Sequence, residues 1–496
     1  MGSRSLVAVL LLGLAACEDN TGPGGPSRLD FAVGPPSAAV GSVLVPDVVV
    51  AARSEAGETV GDWQGTVALS LASGGDGILQ GTTTVEAVAG TAIFDDLRMS
   101  EAGYGYQLVA SSDGLESEPS EPFDVHEIFV SDYVTSGEEH TCALRAGGKA
   151  YCWGANDWGQ LGNGTWTDAS LPGTVETSER FASLTAGGFH TCGLTETGIG
   201  YCWGSNQDGQ LGAASGEACP DPSSQGLRPC STTPIAITGG VTWSKLAAGT
   251  HHTCGLTAQG EVLCWGSGFY GQLGAGEGVQ SADLPTPVAG GHEFVDMDAG
   301  YLHTCGIDQD GRVYCWGSNI YGEVGDNSLG LHRYEPVPAI TEERFSSVYA
   351  GGTVCHGQTC AITPDGDTWC WGRNYQSGLN GAGQFATVPT PLAGDPGLAE
   401  VAVGGYMVCG IGVDRALYCW GEGAYSRLGL GSGNSVFTPT AVLPEMSFSS
   451  VGPGNDHACA VAATGATYCW GRNNRGQLGS SSSQEGWSIP VAVWQD

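Results

Sequence analysis

The sequence predicts an all-β protein: a small β-sandwich followed by a large array of four-stranded units. Three observations predict it. A unit of about 50 residues recurs seven times, a period typical of propellers and solenoids. Its segments are short strand-forming runs between glycine-rich turns, without a helical apolar period. The residues before the repeats, 29–125, carry short strand runs of their own at sandwich spacing.

Composition narrows the function. Lys and Arg number 17 against 52 Asp and Glu, a net charge of −35. Such a chain repels phosphate backbones, so no nucleic acid is expected as the main partner. The 82 glycines lack the every-third-residue period of collagen. A hydrophobic content of 41% with 14 tryptophans excludes long disorder. Eighteen cysteines are too many and too regular for an ordinary cytosolic protein.

The first element is an address. Residues 1–16 hold Arg4 and an apolar run over residues 6–14, the length of a signal-peptide core and too short to span a bilayer. Leu14-Ala15-Ala16-Cys17 resembles a bacterial lipobox. That resemblance implies cleavage before Cys17 and lipid on its sulfur and amine. Residues 17–28 read as a flexible tether. The expected location is that of an exported lipoprotein at the outer membrane or cell surface, possible release included, with Cys17 as membrane anchor.

The second element, residues 29–125, has no cysteine and no helical pattern. Strands are expected at 48–52, 66–71, 83–87, 91–94 and 104–110, separated by turns such as Ser73-Gly74-Gly75-Asp76-Gly77. Residues 90–94 and 103–108 resemble the later strands of bacterial immunoglobulin-like domains. The resemblance implies a spacer or stalk. Tyr104 is then either the tyrosine of a strand corner or a half-buried side chain.

The third element fills residues 127–496. Each unit reads His-Thr-Cys-Ala-Leu, a turn, Tyr-Cys-Trp-Gly, then Asn-x-x-Gly-Gln-Leu-Gly. Successive units start 50, 62, 51, 55, 49 and 50 residues apart. Segments such as Ala155-Asn156-Asp157-Trp158-Gly159-Gln160-Leu161-Gly162 and Arg472-Asn473-Asn474-Arg475-Gly476-Gln477-Leu478-Gly479 carry a family resemblance. The array resembles the regulator of chromosome condensation repeat family, whose members form seven-bladed propellers. The two resemblances together imply a seven-bladed β-propeller preceded by a small immunoglobulin-like β-sandwich. Ser377-Gly378-Leu379-Asn380 and Ser426-Arg427-Leu428-Gly429 depart from the usual unit tail.

Strand periodicity accounts for the cysteines. Residues two apart share a face, so His140, Cys142 and Leu144 point one way, and Cys152 lies across the hairpin. Seven disulfides are expected: Cys142–Cys152, Cys192–Cys202, Cys254–Cys264, Cys305–Cys315, Cys360–Cys370, Cys409–Cys419 and Cys459–Cys469. Metal binding is the rival, but a pair supplies only two ligands. Six of the seven hairpins have glycine six residues after the first cysteine; Arg415 is the exception. Cys355 falls outside this count.

The remaining repeated residues read as structural. Trp153, Trp203, Trp265, Trp316, Trp371, Trp420 and Trp470 are expected between one unit and the next. His140, His190, His252, His303 and His457, with Gln358 and Met407 at the equivalent positions, lie too far apart around a ring to bind one metal. His251 reads as loop-exposed. Asp308-Gln309-Asp310-Gly311 lacks the rest of a calcium loop and reads as a turn. No nucleophile elbow, zinc helix or phosphate loop is present. No cofactor, metal or catalytic residue is expected.

One departure suggests a docking loop. The excess length of the second unit lies in residues 213–233, which contain Cys219, Arg228 and Cys230. A Cys219–Cys230 bond would staple the insertion, and Arg228 would offer a cation to a partner. The expected function is a non-enzymatic, lipid-anchored binding scaffold whose propeller face meets a protein or glycan at the cell surface. The resemblance supports a protein-facing role, because the family includes a secreted β-lactamase inhibitor and a nucleotide exchange factor. The alternatives are a structural envelope or appendage component and an enzyme acting on extracellular polymer.

Overall fold

The computed structural model describes residues 25–221, 226–353, 356–373, 384–480 and 484–495. The expected signal peptide, Cys17, Cys355 and the segment at 377–380 lie outside them. The chain divides into two units, Met1–His126 and Glu127–Asp496.

The first unit is built from two main sheets around one core. Arg28–Val33, Val48–Arg53 and Thr91–Phe94 form the smaller sheet. The larger sheet runs in the order Ala38–Ala39, Phe123–Ile128, Gly103–Ser112, Thr66–Ser73, Thr84–Glu86. Side-chain alternation sets what is inside. In Gly103–Ser112 the buried residues are Tyr106, Leu108, Ala110 and Ser112. Tyr106, Leu108 and Ala110 meet Val48, Val50 and Phe94 of the smaller sheet in one apolar cluster. Tyr104 shares their parity yet stands outward, 69% exposed, because the strand is irregular at Gly105, φ +68°, where its register with Phe123–Ile128 shifts. The strand-corner role considered for Tyr104 is therefore corrected. Tyr106 is the buried tyrosine, and its hydroxyl donates to the Glu101 carbonyl at 3.3 Å.

The second unit is a propeller-like arrangement of seven antiparallel sheets. Sheet 1 comprises Tyr133–Ser136, His140–Arg145, Lys149–Gly154 and Ala169–Thr174, paired in chain order. Sheets 2 to 7 repeat this order. The first strand of each sheet faces a central cavity. Sheet 7 packs back on sheet 1: Trp153 donates its indole N–H to the Gln477 carbonyl at 2.9 Å. Among the described residues only sheet 2 has five strands, because Glu217–Pro220 pairs with Leu227–Ala236 along its outer edge.

The second and third strands of every sheet form the cysteine hairpin. Cys142 stands directly opposite Cys152, and each other pair keeps this register. All seven pairs are bonded, with Cα atoms 4.0 or 4.1 Å apart. The hairpin glycines take the left-handed conformation that a tight turn demands, φ +75° at Gly148 for example. Arg415 adopts φ +67° at the same position in sheet 6. The turn geometry is thus kept even where its sequence signal is lost. Asp308 to Gly311 is one of these turns, with the Asp308 carboxylate accepting the N–H groups of Asp310 and Arg312 at 2.9 Å.

Candidate interaction site

The repeated polar residues join one sheet to the next. His252 of sheet 3 meets the Thr304 hydroxyl of sheet 4 at 3.0 Å. Thr304 donates its single hydroxyl proton to the Gln272 carbonyl at 2.9 Å. Its oxygen therefore accepts from the imidazole, which fixes the neutral Nε2–H tautomer. Trp316 donates to the same Gln272 carbonyl at 3.0 Å. One loop carbonyl of sheet 3 thus holds two side chains of sheet 4. The pairs His140–Thr191, His190–Thr253, His303–Thr359 and His457–Thr141 repeat the arrangement at 2.8–2.9 Å.

Burial pushes the pKa of His140, His190, His252 and His457 down to about 3, and that of His303 to about 4. All five are closed off from solvent, at 0 or 1% exposure. The space each ring fills requires a glycine three residues earlier. A Cβ on Gly249 would lie 2.2 Å from the His252 ring. These histidines hold the sheets together; they do not face a substrate.

Two seams lack the pair. Gln358 of sheet 5 faces sheet 6, where Val408 replaces threonine, and Met407 of sheet 6 faces sheet 7, where Ala458 replaces it. Histidine and its partner are lost together each time. Arg427 stands in sheet 6 where sheets 1, 2, 3 and 7 have glutamine and sheet 4 has Glu323. It is 3% exposed, lies over the Tyr406 ring at 4.6 Å, and pairs with Asp456 at 2.9 Å. Its carbonyl still accepts the Trp470 N–H at 2.8 Å. All seven repeat tryptophans are 0% exposed.

The first strands enclose a central cavity of about 360 Å³. Tyr133, Ser183, Lys245 and Glu400 occupy equivalent positions, each opposite the residue two after the first cysteine of its hairpin. Lys245 contacts Asp296 at 2.7 Å. Burial alone would depress its ammonium, but Asp296 and Asp298 outweigh burial and the net shift is upward. Burial raises Asp298 to about 6, against the pull of Lys245 and the Ala350 N–H it accepts at 2.9 Å. Burial also raises Glu400. Shelter inside the cavity, then Glu400 and Asp298, push the Tyr133 phenol up. The sequence reading missed these residues. Their signal was the recurring first strand, whose inward position changes chemistry from unit to unit.

The connections at the two ends of the sheets differ in what they expose: aliphatic Ile199, Ile340 and Val413 at the end of the hairpin turns, and aromatic side chains at the other. Among the described residues, the connections between third and fourth strands of sheets 1, 3, 4 and 6 carry exposed apolar side chains at one end. Trp166 is 53% exposed, Phe269 62%, Leu331 58% and Tyr425 58%. The insertion in sheet 2 lies in the corresponding connection. Its Cys219 and Cys230 are bonded, and both are buried. Arg228 is engaged within the chain: it pairs with Asp221 at 2.5 Å, donates to Gln207 at 2.7 Å and lies over Trp158 at 5.4 Å. Arg228 is thus held by its own chain before any partner arrives. His251 is partly exposed and faces Asp208 at 3.4 Å. Among the described residues no group of three or more His, Cys, Asp or Glu is arranged to hold a metal, and no helix is long and apolar enough to cross a membrane.

Comparison with known proteins places this geometry. The profile of the RCC1-like domain matches residues 97–392, and profiles of the regulator of chromosome condensation repeat match 415–461 and 448–477. The Arabidopsis thaliana ultraviolet-B receptor UVR8 is 29% identical over 304 residues, 60% of this chain and 66% of the receptor. The Homo sapiens E3 ubiquitin-protein ligase HERC2 is 31% identical over 195 residues, 38% of this chain and 4% of the ligase. The match thus spans less than two thirds of either relative. The structure of Prp20p from Saccharomyces cerevisiae, a protein described with binding to Gsp1p and histones, superposes with a TM-score of 0.59 at 23% identity, covering 74% of this chain and 88% of Prp20p.

These findings correct the expectations drawn from the N terminus. The relatives matched in sequence are a plant ultraviolet-B receptor and a human E3 ubiquitin-protein ligase, and the matching fold is that of a yeast protein. The bacterial lipoprotein reading, the lipid anchor, the outer-membrane or cell-surface location and the surface protein or glycan partner are overturned. The reason is one of information. A short apolar run ending in one cysteine constrains far less than a repeat matched over most of the chain. The immunoglobulin-like identity of residues 29–125 is corrected too: the RCC1-like profile enters that segment at residue 97.

Proposed function

We propose that this chain, which belongs to the family of RCC1-like domains, is a seven-bladed propeller that docks a protein on the end formed by its third-to-fourth strand connections. It is a non-catalytic interaction scaffold. One observation carries the choice of end. The repeated His, Thr and Trp side chains are spent on joining sheets, while Trp166, Phe269, Leu331 and Tyr425 stand exposed on connections at that one end. Variable loops on a rigid frame are where binding residues concentrate, and exposed aromatics are common anchors.

Prp20p supplies the first candidate partners, Gsp1p and histones. A net charge of −35 favours the basic histones. The test is affinity capture with the full chain and with a Trp166→Ser, Phe269→Ser, Tyr425→Ser variant. Histones and Gsp1p serve as direct probes, alongside extract of the source cells. A protein retained by the parent and lost from the variant, with melting unchanged, supports this end. The same retained proteins with both chains would overturn it.

A further inference from the structure

We propose that the central cavity binds an alkylammonium group, seated against Glu400 between the phenols of Tyr133 and Tyr349. This goes beyond loop-end docking and is independent of it. The wall of the cavity already shows the chemistry. Lys245 brings one ammonium into the ring of first strands, and Asp296 holds it at 2.7 Å. Asp298 flanks that pair and is satisfied in part by the Ala350 N–H. The wall contributed by sheet 6 carries a third carboxylate, Glu400, with no cation and no hydrogen-bond partner among the described residues.

Four further features fit a cationic guest. Tyr133 and Tyr349 line the same cavity and feel the charge of Glu400. Aromatic faces attract cations, more strongly where water is scarce. At the opposite end of the first strands, Glu138 also lines the cavity. Its Oε1 is shut off from solvent and makes no hydrogen bond among the described residues. Burial holds Glu138 up at about 7, as it holds Glu400 above its ordinary value. A volume of about 360 Å³ is at the small end of ligand pockets, enough for an alkyl chain. Between the two carboxylates lies a collar of glycines, Gly137 and Gly187 among them, which leaves the passage free of side chains.

The ammonium has two possible sources, a free aliphatic amine or a lysine side chain of a partner. Titration calorimetry on the full chain at physiological salt separates them. The probes are 1,5-diaminopentane and a lysine capped at both ends. The expected result is saturable one-site binding of at least one probe, weakened at least tenfold by Glu400→Gln and unchanged by Glu335→Gln on an outer strand. Tyr133→Phe should also bind, since the ring remains. Tighter binding of the diamine identifies a free amine, and tighter binding of capped lysine identifies a side chain. Melting curves confirm that Glu400→Gln is folded; if it is not, Asp298→Asn and Tyr349→Ala provide the same comparison. Absence of saturation with both probes would overturn the site. So would equal weakening by Glu400→Gln and Glu335→Gln, which would mark the general acidic field instead.

Discussion

Five seams of the ring carry a histidine–threonine pair, and the two seams flanking sheet 6 do not. In the first kind a buried imidazole donates across the seam and a hydroxyl donates in turn to a loop carbonyl. In the second kind Gln358 faces Val408 and Met407 faces Ala458. The tryptophan is common to both: Trp316 and Trp470 are equally buried and both reach the loop carbonyl of the preceding sheet. The difference teaches that the histidine is half of a unit. Keeping it opposite alanine or valine would leave a buried donor without a partner, which costs about 1–3 kcal/mol. The pair is therefore present whole or absent whole. A metal-binding or catalytic histidine would have no reason to be coupled to a threonine in the next sheet.

The largest effect should come from the element the two kinds of seam share. Trp203→Ala and Trp470→Ala should each destabilise by about 3–5 kcal/mol, measured as the shift in urea midpoint at constant slope. A loss at Trp470 far below that at Trp203 would show that the seams differ in more than the pair. Next come the hairpin disulfides, which all sheets have. Removing Cys192 and Cys202 together should cost about 2–3 kcal/mol in the chain-entropy model for a loop of this length. Removing Cys409 and Cys419 of sheet 6 should cost the same. Melting of the two double variants checks this.

Acid should act on one kind of seam only. The five imidazoles have folded-state pKa values of about 3–4, below the unfolded value of about 6.5. The unfolded chain binds more protons between those limits. Their contribution is therefore complete above about pH 6.5 and is lost as pH falls toward 4. Asp298 and Glu138, raised to about 6 and 7, work the other way. The comparison that isolates the histidines is a variant carrying His252→Met and Thr304→Ala, which copies the seam between sheets 6 and 7. Its stability should fall less than the parent's between pH 6.5 and 4, by urea titration at each pH. An identical slope would remove the histidines from the acid response. The smallest effect concerns sheet 6 itself. Arg415→Gly restores the residue that its left-handed turn favours and should raise stability by about 0.5–1 kcal/mol.

Much of the all-β repeat was legible because its constraints are local and repeated seven times. Strand alternation, glycine turns and the Tyr-Cys-Trp-Gly run lie within one hairpin. What was not legible depends on neighbours brought together only by the ring. Spacing showed that His252 and Thr304 recur, but not that they meet across sheets. The inward residues Tyr133, Lys245 and Glu400 share a position yet not a chemistry, so no repeat signal marks them as one cavity. Arg228 read as a spare cation because sequence does not show Asp221 and Trp158 beside it. In the first unit, a shift of two residues along one strand moved the buried tyrosine from Tyr104 to Tyr106. Both share a parity, and the strand's irregular start at Gly105, with φ +68°, decided which one turned inward.

The account rests on the claim that each histidine works with the threonine of the next sheet as one joint. A double-mutant cycle on His252→Met and Thr304→Ala tests it most directly, with urea unfolding of the parent, both single variants and the double. The predicted result is a loss of about 1–3 kcal/mol in each single variant and a double variant little worse than either, a coupling of about 1–2 kcal/mol. Losses that add to within about 0.5 kcal/mol would contradict it, because independent sites add.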